Sequence, residues 1–157
     1  MPAENSILLT TDLSPASDKV AKVACDLATA LGSKLLALHV LSEEKMKDIQ
    51  GIRPESAYVD VVMDNLSRDV AAQLERVTDD QPFKHDEKVV LGEPGQEILR
   101  VLGKQPFDYV VVGVRNRSRV GKLLLGSVAQ EVLLNSTYTV VAVPCELEER
   151  PNTSARS

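Results

Sequence analysis

Five short aliphatic runs, four of them followed by a stretch of helical periodicity, constrain this chain more than any other feature. The runs are Ile7-Leu8-Leu9, Lys34 to Val40, Phe83 to Val90, Tyr109 to Gly113 and Thr139 to Val143. Each is too short for a buried helix and is bounded by glycine, proline or polar residues, so each reads as a strand. Between them, Ser14-Pro15 sets an N-cap and a proline at the first helical position. The apolar face of that helix is Val20, Val23, Ala24, Leu27, Ala28 and Leu31, and Gly32 stands where a C-terminal glycine is expected.

Residues 42 to 55 are polar, contain Gly51 and Pro54, and read as a loop. A long helix is expected over residues 56 to 79, with Val59, Met63, Leu66, Val70, Leu74 and Val77 as its buried stripe. Gly92-Glu93-Pro94-Gly95 opens another helix through about Leu102, and a last one is expected from Ser127 to Leu134. Pro144 is expected to stop the fifth strand.

Strand and helix thus alternate, ending on a strand. That order implies one α/β domain, a three-layer sandwich with a five-stranded parallel sheet, right-handed crossovers and helices on both faces. A length of 157 residues fits a single domain. Aromatics make up only 3% and tryptophan is absent, so the core is aliphatic, as buried parallel strands require. The domain is expected over residues 1 to 145, with a polar, disordered tail over 146 to 157. Ligands of such sheets bind beyond the carboxyl ends of the strands, where strand order reverses.

A net charge of -5 argues against a general nucleic-acid binder. The longest apolar runs span only a few residues, which argues against membrane insertion. MPAENSILLT lacks a basic region followed by an apolar one, so no secretory signal is read and a cytoplasmic place is expected. Cys25 and Cys145 lie far apart with no metal-like spacing and read as free thiols.

Against this acidic background, GVRNRSRVGKLLLGS, residues 113 to 127, carries Arg115, Arg117, Arg119 and Lys122 and no acid. Gly121-Lys122 is not a Walker A loop, because Asn116 stands five residues before that pair, where glycine is required, and Leu123 follows it. No GxGxxG is present either. A different phosphate site remains. Gly113 ends a strand and lets the backbone approach a ligand. Gly126-Ser127 opens a helix, where unpaired N–H groups and the helix dipole favour an anion. The alternative is that Gly126 permits a turn, Ser127 caps the helix and the arginines are solvated. Asp12, at the same sheet edge, suits a ribose hydroxyl or a divalent cation; its alternative is to assist Ser14 in capping the first helix.

These residues resemble the universal stress protein family over nearly the whole chain. Nucleotide-binding members carry Gly, two residues, Gly, nine residues, Gly, then Ser or Thr; here the register is Gly113, Asn116, Gly126, Ser127. ILLTTDLSPASDKVAKVACDLATALGSKLLALHV, GEPGQEIL, VAQEVL and TYTVVAVP resemble other parts of the family's pattern. Two positions depart from it: Asn116 replaces the second glycine, and Thr10 stands where many members have proline. Asparagine tolerates left-handed backbone better than other non-glycine residues.

The resemblance implies strand order 3-2-1-4-5, which sets strands one and four side by side. It implies an adenine nucleotide, ATP or AMP, as ligand, with Mg²⁺ held through Asp12. The nucleotide would be contacted at Thr10, Thr11 and Asp12, by the Val40 backbone at adenine, and by Val112, Gly113, Arg115, Asn116, Arg117, Gly126, Ser127 and Val128 around ribose and phosphates. It also implies a homodimer through Thr139 to Val143, and a stress-response sensor or regulator. A nucleotide-free dimeric interaction protein is the second reading, and slow ATP hydrolysis the third. For hydrolysis no general base is legible: His39 precedes the end of the second strand and His85 starts the third.

Overall fold

The computed structural model describes residues 6–48, 58–79, 83–116 and 125–146. Their order is β1 (Ser6–Thr10), α1 (Ser17–Leu31), β2 (Lys34–Leu41), α2 (Glu43–Asp48), α3 (Val59–Val77), β3 (His85–Leu91), α4 (Pro94–Leu102), β4 (Tyr109–Asn116), α5 (Ser127–Asn135) and β5 (Thr139–Glu146). The strands form one parallel sheet of order β3-β2-β1-β4-β5. That is the expected order, with its reversal between β1 and β4.

Because both faces are covered, the inner strands β1, β2 and β4 are mainly aliphatic and do not alternate with polar residues, whereas the edge strand β3 begins polar. Alternation instead distributes their side chains between two cores. Ile7, Leu9, Leu35, Ala37, Val111 and Val143 pack with Val20, Ala24 and Ala28 of α1 and Val70 and Leu74 of α3. Leu8, Leu38, Val110, Val112 and Val114 pack with Ile98, Val101 and Leu102 of α4 and Ala129 and Val132 of α5. Leu8, Ile7, Leu9 and Val110 are wholly buried. Burying each such side chain contributes about 1.5–3 kcal/mol. Gly32 ends α1 in the left-handed region at φ 63°, and the Ser33 amide reaches back to the Ala28 carbonyl at 2.9 Å.

Several boundaries differ from expectation, each for a local reason. α1 begins at Ser17, not at Pro15. The Ser17 amide bonds the Ser14 carbonyl at 3.0 Å, so a tight three-residue turn precedes the helix and Ser14 is not its cap. Part of the expected 42–55 loop is helix α2. The Ser42 hydroxyl accepts the Lys45 amide at 3.2 Å, as an N-cap does, and Met46 is wholly buried. α4 starts at Pro94 and β3 at His85, each a little later than expected.

Further along the chain, Gly113 does not end β4, and Pro144 does not stop β5. The two strands continue paired through Val114↔Pro144, Arg115↔Cys145 and Asn116↔Glu146. Pro144 is tolerated because β5 lies at the sheet edge, where alternate N–H groups face away from the neighbouring strand. β5 therefore runs one residue past the expected domain limit, and the rest of the expected tail lies outside the described residues.

Candidate functional site

The β1–α1 turn leaves the carboxyl edge of the sheet beside β4, and several bonds hold its first residue. The Thr11 amide donates to the Leu38 carbonyl at 3.0 Å. His39 Nδ1 lies 2.8 Å from the Thr11 carbonyl oxygen, so that ring nitrogen carries the hydrogen. The Thr11 hydroxyl lies 2.7 Å from Gln73 Oε1 and is buried. Next, Asp12 Oδ1 accepts from the Ser14 amide at 2.9 Å and from the Ser14 hydroxyl at 2.6 Å. The carboxylate thus organises the turn before the helix, although no side chain caps α1 itself.

Opposite this turn, Gly126 is the N-cap of α5 and Ser127 its first residue. The first helical bond is Gln130 N–H to the Gly126 carbonyl at 2.9 Å, so the amides of Ser127, Val128 and Ala129 have no partner within the helix. Gly126 has φ -68° and ψ 165°, which any residue adopts. A Cβ there would meet nothing within 4 Å among the described residues. Neither backbone strain nor crowding by those residues requires glycine at 126. The opening suits an outside group that must come close to the helix end. No acidic residue lies in the first turn of α5.

Gly113 has a different cause. A Cβ there would lie 3.0 Å from Val20 Cγ2 and 3.2 Å from Cys145 Sγ, so it lets α1 pack closely on β4 and β5. It sits within β4 rather than at its end, and serves packing as well as any approach by a ligand.

Between the two edges lies a cleft of about 490 Å³, within the range of small-molecule sites, about 300–1,000 Å³. Thr10, Thr11, Asp12, Val40, Val112, Gly113, Gly126, Ser127 and Val128 all line it, as do the apolar side chains of Leu38 and Ile98. Sequence reasoning placed those first nine at one site, and the fold brings them to one cavity. Arg115 and Asn116 are described by backbone only. Asn116 stands on the ladder opposite Glu146, continuing the strand. Arg117 lies outside the described residues, with Arg119 and Lys122. The Thr10 hydroxyl donates to the Val111 carbonyl at 3.3 Å, tying β1 to β4 beneath the cleft.

Ser17, His39, Ser42, Lys45 and Cys145 also line the cleft and were not placed there from sequence. Ser42 and Lys45 were hidden inside the expected loop. The signal that reveals them is Ser42 followed by Glu43-Glu44, an N-cap with acids in the first helical turn. His39 is 4% exposed, and burial holds its pKa below the usual imidazole value, so it is neutral at physiological pH. His85 is paired with Leu35 at the amino ends of the strands, away from the cleft. Cys25 and Cys145 are both buried, and among the described residues neither forms a disulfide.

Asp12 is the one carboxylate lining the cleft among the described residues. Those residues contain no group of three or more His, Cys, Asp or Glu side chains suited to a metal ion. No helix among them is long and apolar enough to cross a membrane. Chemically, the cleft offers an apolar slot, a carboxylate at one rim and, at the other, helix amides that have no partner within the helix.

The family model for the universal stress protein family matches residues 5–144. Among similar proteins, universal stress protein MJ0577 of Methanocaldococcus jannaschii is 23% identical over 150 residues, covering 87% of this chain and 93% of its own. The crystal structure of a universal stress protein in complex with cAMP matches with a TM-score of 0.65 at 22% identity, covering 90% of this chain and 97% of its own. A universal stress protein from Archaeoglobus fulgidus in complex with dAMP matches with a TM-score of 0.56 at 17% identity, covering 91% and 99%. At these identities the structural likeness shows the shared fold.

Proposed function

This chain belongs to the universal stress protein family, and on that premise we propose that its cleft binds an adenine nucleotide, ATP or AMP, and that the protein acts as a stress-response sensor or regulator in the cytoplasm. The observation that carries the reading is the open glycine at the start of α5. A Cβ at Gly126 would meet nothing within 4 Å among the described residues, and three helix amides face that opening without a helical partner. A phosphate supplies what such an end favours, negative charge and acceptor oxygens. Ser127 adds a hydroxyl donor. Asp12, across the cleft, accepts hydrogen bonds from a ribose. The backbone at Val40 serves the base, with Leu38, Ile98 and Val112 as apolar walls. The complexes of two structural relatives with cAMP and dAMP support the choice of an adenine nucleotide.

Arg115 near the end of β4, with Arg117, Arg119 and Lys122 after it in sequence, raises the potential for phosphates. With a single carboxylate in the cleft, a Mg²⁺ ion here takes its remaining ligands from phosphate oxygens and water, as Mg²⁺ commonly does. Dimerisation through Thr139 to Val143 belongs to the same proposal. β5 is a sheet edge, and Leu133 and Leu134 of the preceding α5 are 45% and 72% exposed.

The second reading, a nucleotide-free interaction module, has one observation in its favour. Asn116 stands where nucleotide-binding relatives of this pattern have glycine, and its backbone continues a paired strand. Thermal unfolding with and without nucleotide separates the two. A ligand bound only by the native state at a hundred times its Kd adds about 2.7 kcal/mol of stability. A rise in melting temperature with ATP or AMP supports nucleotide binding; no rise at millimolar nucleotide with magnesium favours the interaction module.

A further inference from the structure

We propose that Gln73, on α3, is a positioning residue for the nucleotide site: it fixes the Thr11 hydroxyl, which fixes the strained turn that presents Asp12. The inference rests on the nucleotide reading of the cleft. Gln73 lies 62 residues from Thr11 in the chain and is 1% exposed. It does not itself line the cleft.

Its amide has one orientation. Nε2 lies 2.9 Å from Asp18 Oδ1, a carboxylate that only accepts, and 2.8 Å from Ser17 Oγ. The Ser17 hydroxyl spends its proton on the Ser14 carbonyl at 2.6 Å, so towards Gln73 it too accepts. Both amide hydrogens are therefore used. Oε1 is left to accept, and it faces the Thr11 hydroxyl at 2.7 Å.

Thr11 has one proton, and Gln73 takes it. The Thr11 oxygen then acts as acceptor for the Leu13 amide at 3.1 Å. Leu13 sits at φ 63°, in the left-handed region that a branched side chain rarely adopts. Such a conformation persists where its surroundings over-determine it. Here the surroundings are a chain of bonds running from α3 through Thr11 to Leu13, one residue past Asp12. Arg76, one turn further along α3, holds Asp18 by bonds of 2.8 and 3.1 Å and adds a second grip on the start of α1. A buried amide that serves only packing is replaceable by an apolar side chain. This one makes three bonds: one reaches Thr11, in the turn that carries Asp12, and two hold Ser17 and Asp18 at the start of α1 directly behind that turn.

The test compares Gln73→Met, which keeps the volume and loses the amide, with Leu74→Ala, which removes a buried apolar side chain on α3 that has no hydrogen bond to give the turn. Without ligand, amide exchange at Leu13 and Ser14 is expected to quicken about tenfold or more in Gln73→Met relative to Leu74→Ala. With AMP, at a temperature where each variant is folded, Kd is expected to rise about tenfold in Gln73→Met and to stay within about twofold of wild type in Leu74→Ala. Adding Leu13→Gly to Gln73→Met is expected to recover much of that affinity, because glycine holds φ 63° unaided.

Unchanged exchange at Leu13 and Ser14 with unchanged Kd overturns the positioning role. If Gln73→Met does not fold, Thr11→Val breaks the same relay and must show the same loosening. If wild type binds no AMP while the exchange result holds, the nucleotide reading fails and the role for Asp12 with it; if wild type binds and Gln73→Met binds equally well, only the positioning role fails.

Discussion

Gly126→Asp separates stability from binding, because the two should move in opposite directions. Gly126 is an N-cap with extended backbone at φ -68° and ψ 165°, and a Cβ there would meet nothing within 4 Å among the described residues. Aspartate therefore fits without strain. As an N-cap it gains a few tenths of a kcal/mol over glycine. Its charge at a helix N-terminus adds about 0.3–1 kcal/mol, and the lost freedom of glycine in the unfolded chain about 0.4–1 kcal/mol. Together these give roughly 1 kcal/mol of stabilisation, or a melting temperature about 2–4 °C higher for a domain of this size.

For a phosphate at the same place, the new carboxylate repels it and occupies the helix amides. Two unit charges 4 Å apart interact by about 4 kcal/mol at an effective dielectric of 20. Discounting by half for solvent exposure leaves about 2 kcal/mol, or roughly a thirtyfold loss of affinity. Calorimetric titration with ATP or AMP, beside a thermal melt without ligand, reads both effects. A stabilised variant that still binds nucleotide as wild type does would refute the placement of phosphate at α5. A destabilised variant would refute the claim that the space at Gly126 is open.

Three further outcomes follow from the same geometry. Asp12→Ala removes an acceptor of two hydrogen bonds from Ser14; it should cost about 1 kcal/mol of stability and weaken nucleotide binding by more than a mere loss of turn order, so its Kd should exceed that of Ser14→Ala. His39 is held neutral by burial, its pKa below 6.5, so the unfolded chain takes up that proton first. Stability should be full above pH 6.5 and fall as pH drops towards the lower folded value, and His39→Gln should flatten that part of a denaturation-versus-pH curve; an unchanged curve contradicts the buried neutral ring. Burial pushes the Cys25 thiol up to about 11, so iodoacetamide at neutral pH should leave Cys25 unmodified in the native protein and modify it once denaturant is added, as mass spectrometry of the peptides will show.

What was legible in the sequence depended on local signals. The aliphatic runs marked the strands because a parallel sheet buried on both faces tolerates little else. Asp12 at a strand end and Gly126-Ser127 at a helix start were readable because position in a βα unit determines where a residue points. α2 left only its capping signal, Ser42 before Glu43-Glu44, because a single buried Met46 in a polar run gives no periodicity. The true ends of β4 and β5 were hidden because each is set by its partner, through Val114↔Pro144 to Asn116↔Glu146. A glycine before a basic run invited the reading that the strand stopped at 113, whereas Gly113 answers to Val20 and Cys145. The relay from Gln73 to Thr11 spans 62 residues and leaves no local trace at all.

The central claim is that an adenine nucleotide sits between Asp12 and the start of α5. Backbone amide NMR during titration with AMP or ATP tests both the binding and its place. The account predicts saturable shifts at Asp12, Leu13, Val40, Gly113 and the first-turn amides of Ser127, Val128 and Ala129, with the β3 end near His85 unmoved. No shifts at millimolar nucleotide, or shifts confined to other parts of the fold, would contradict it.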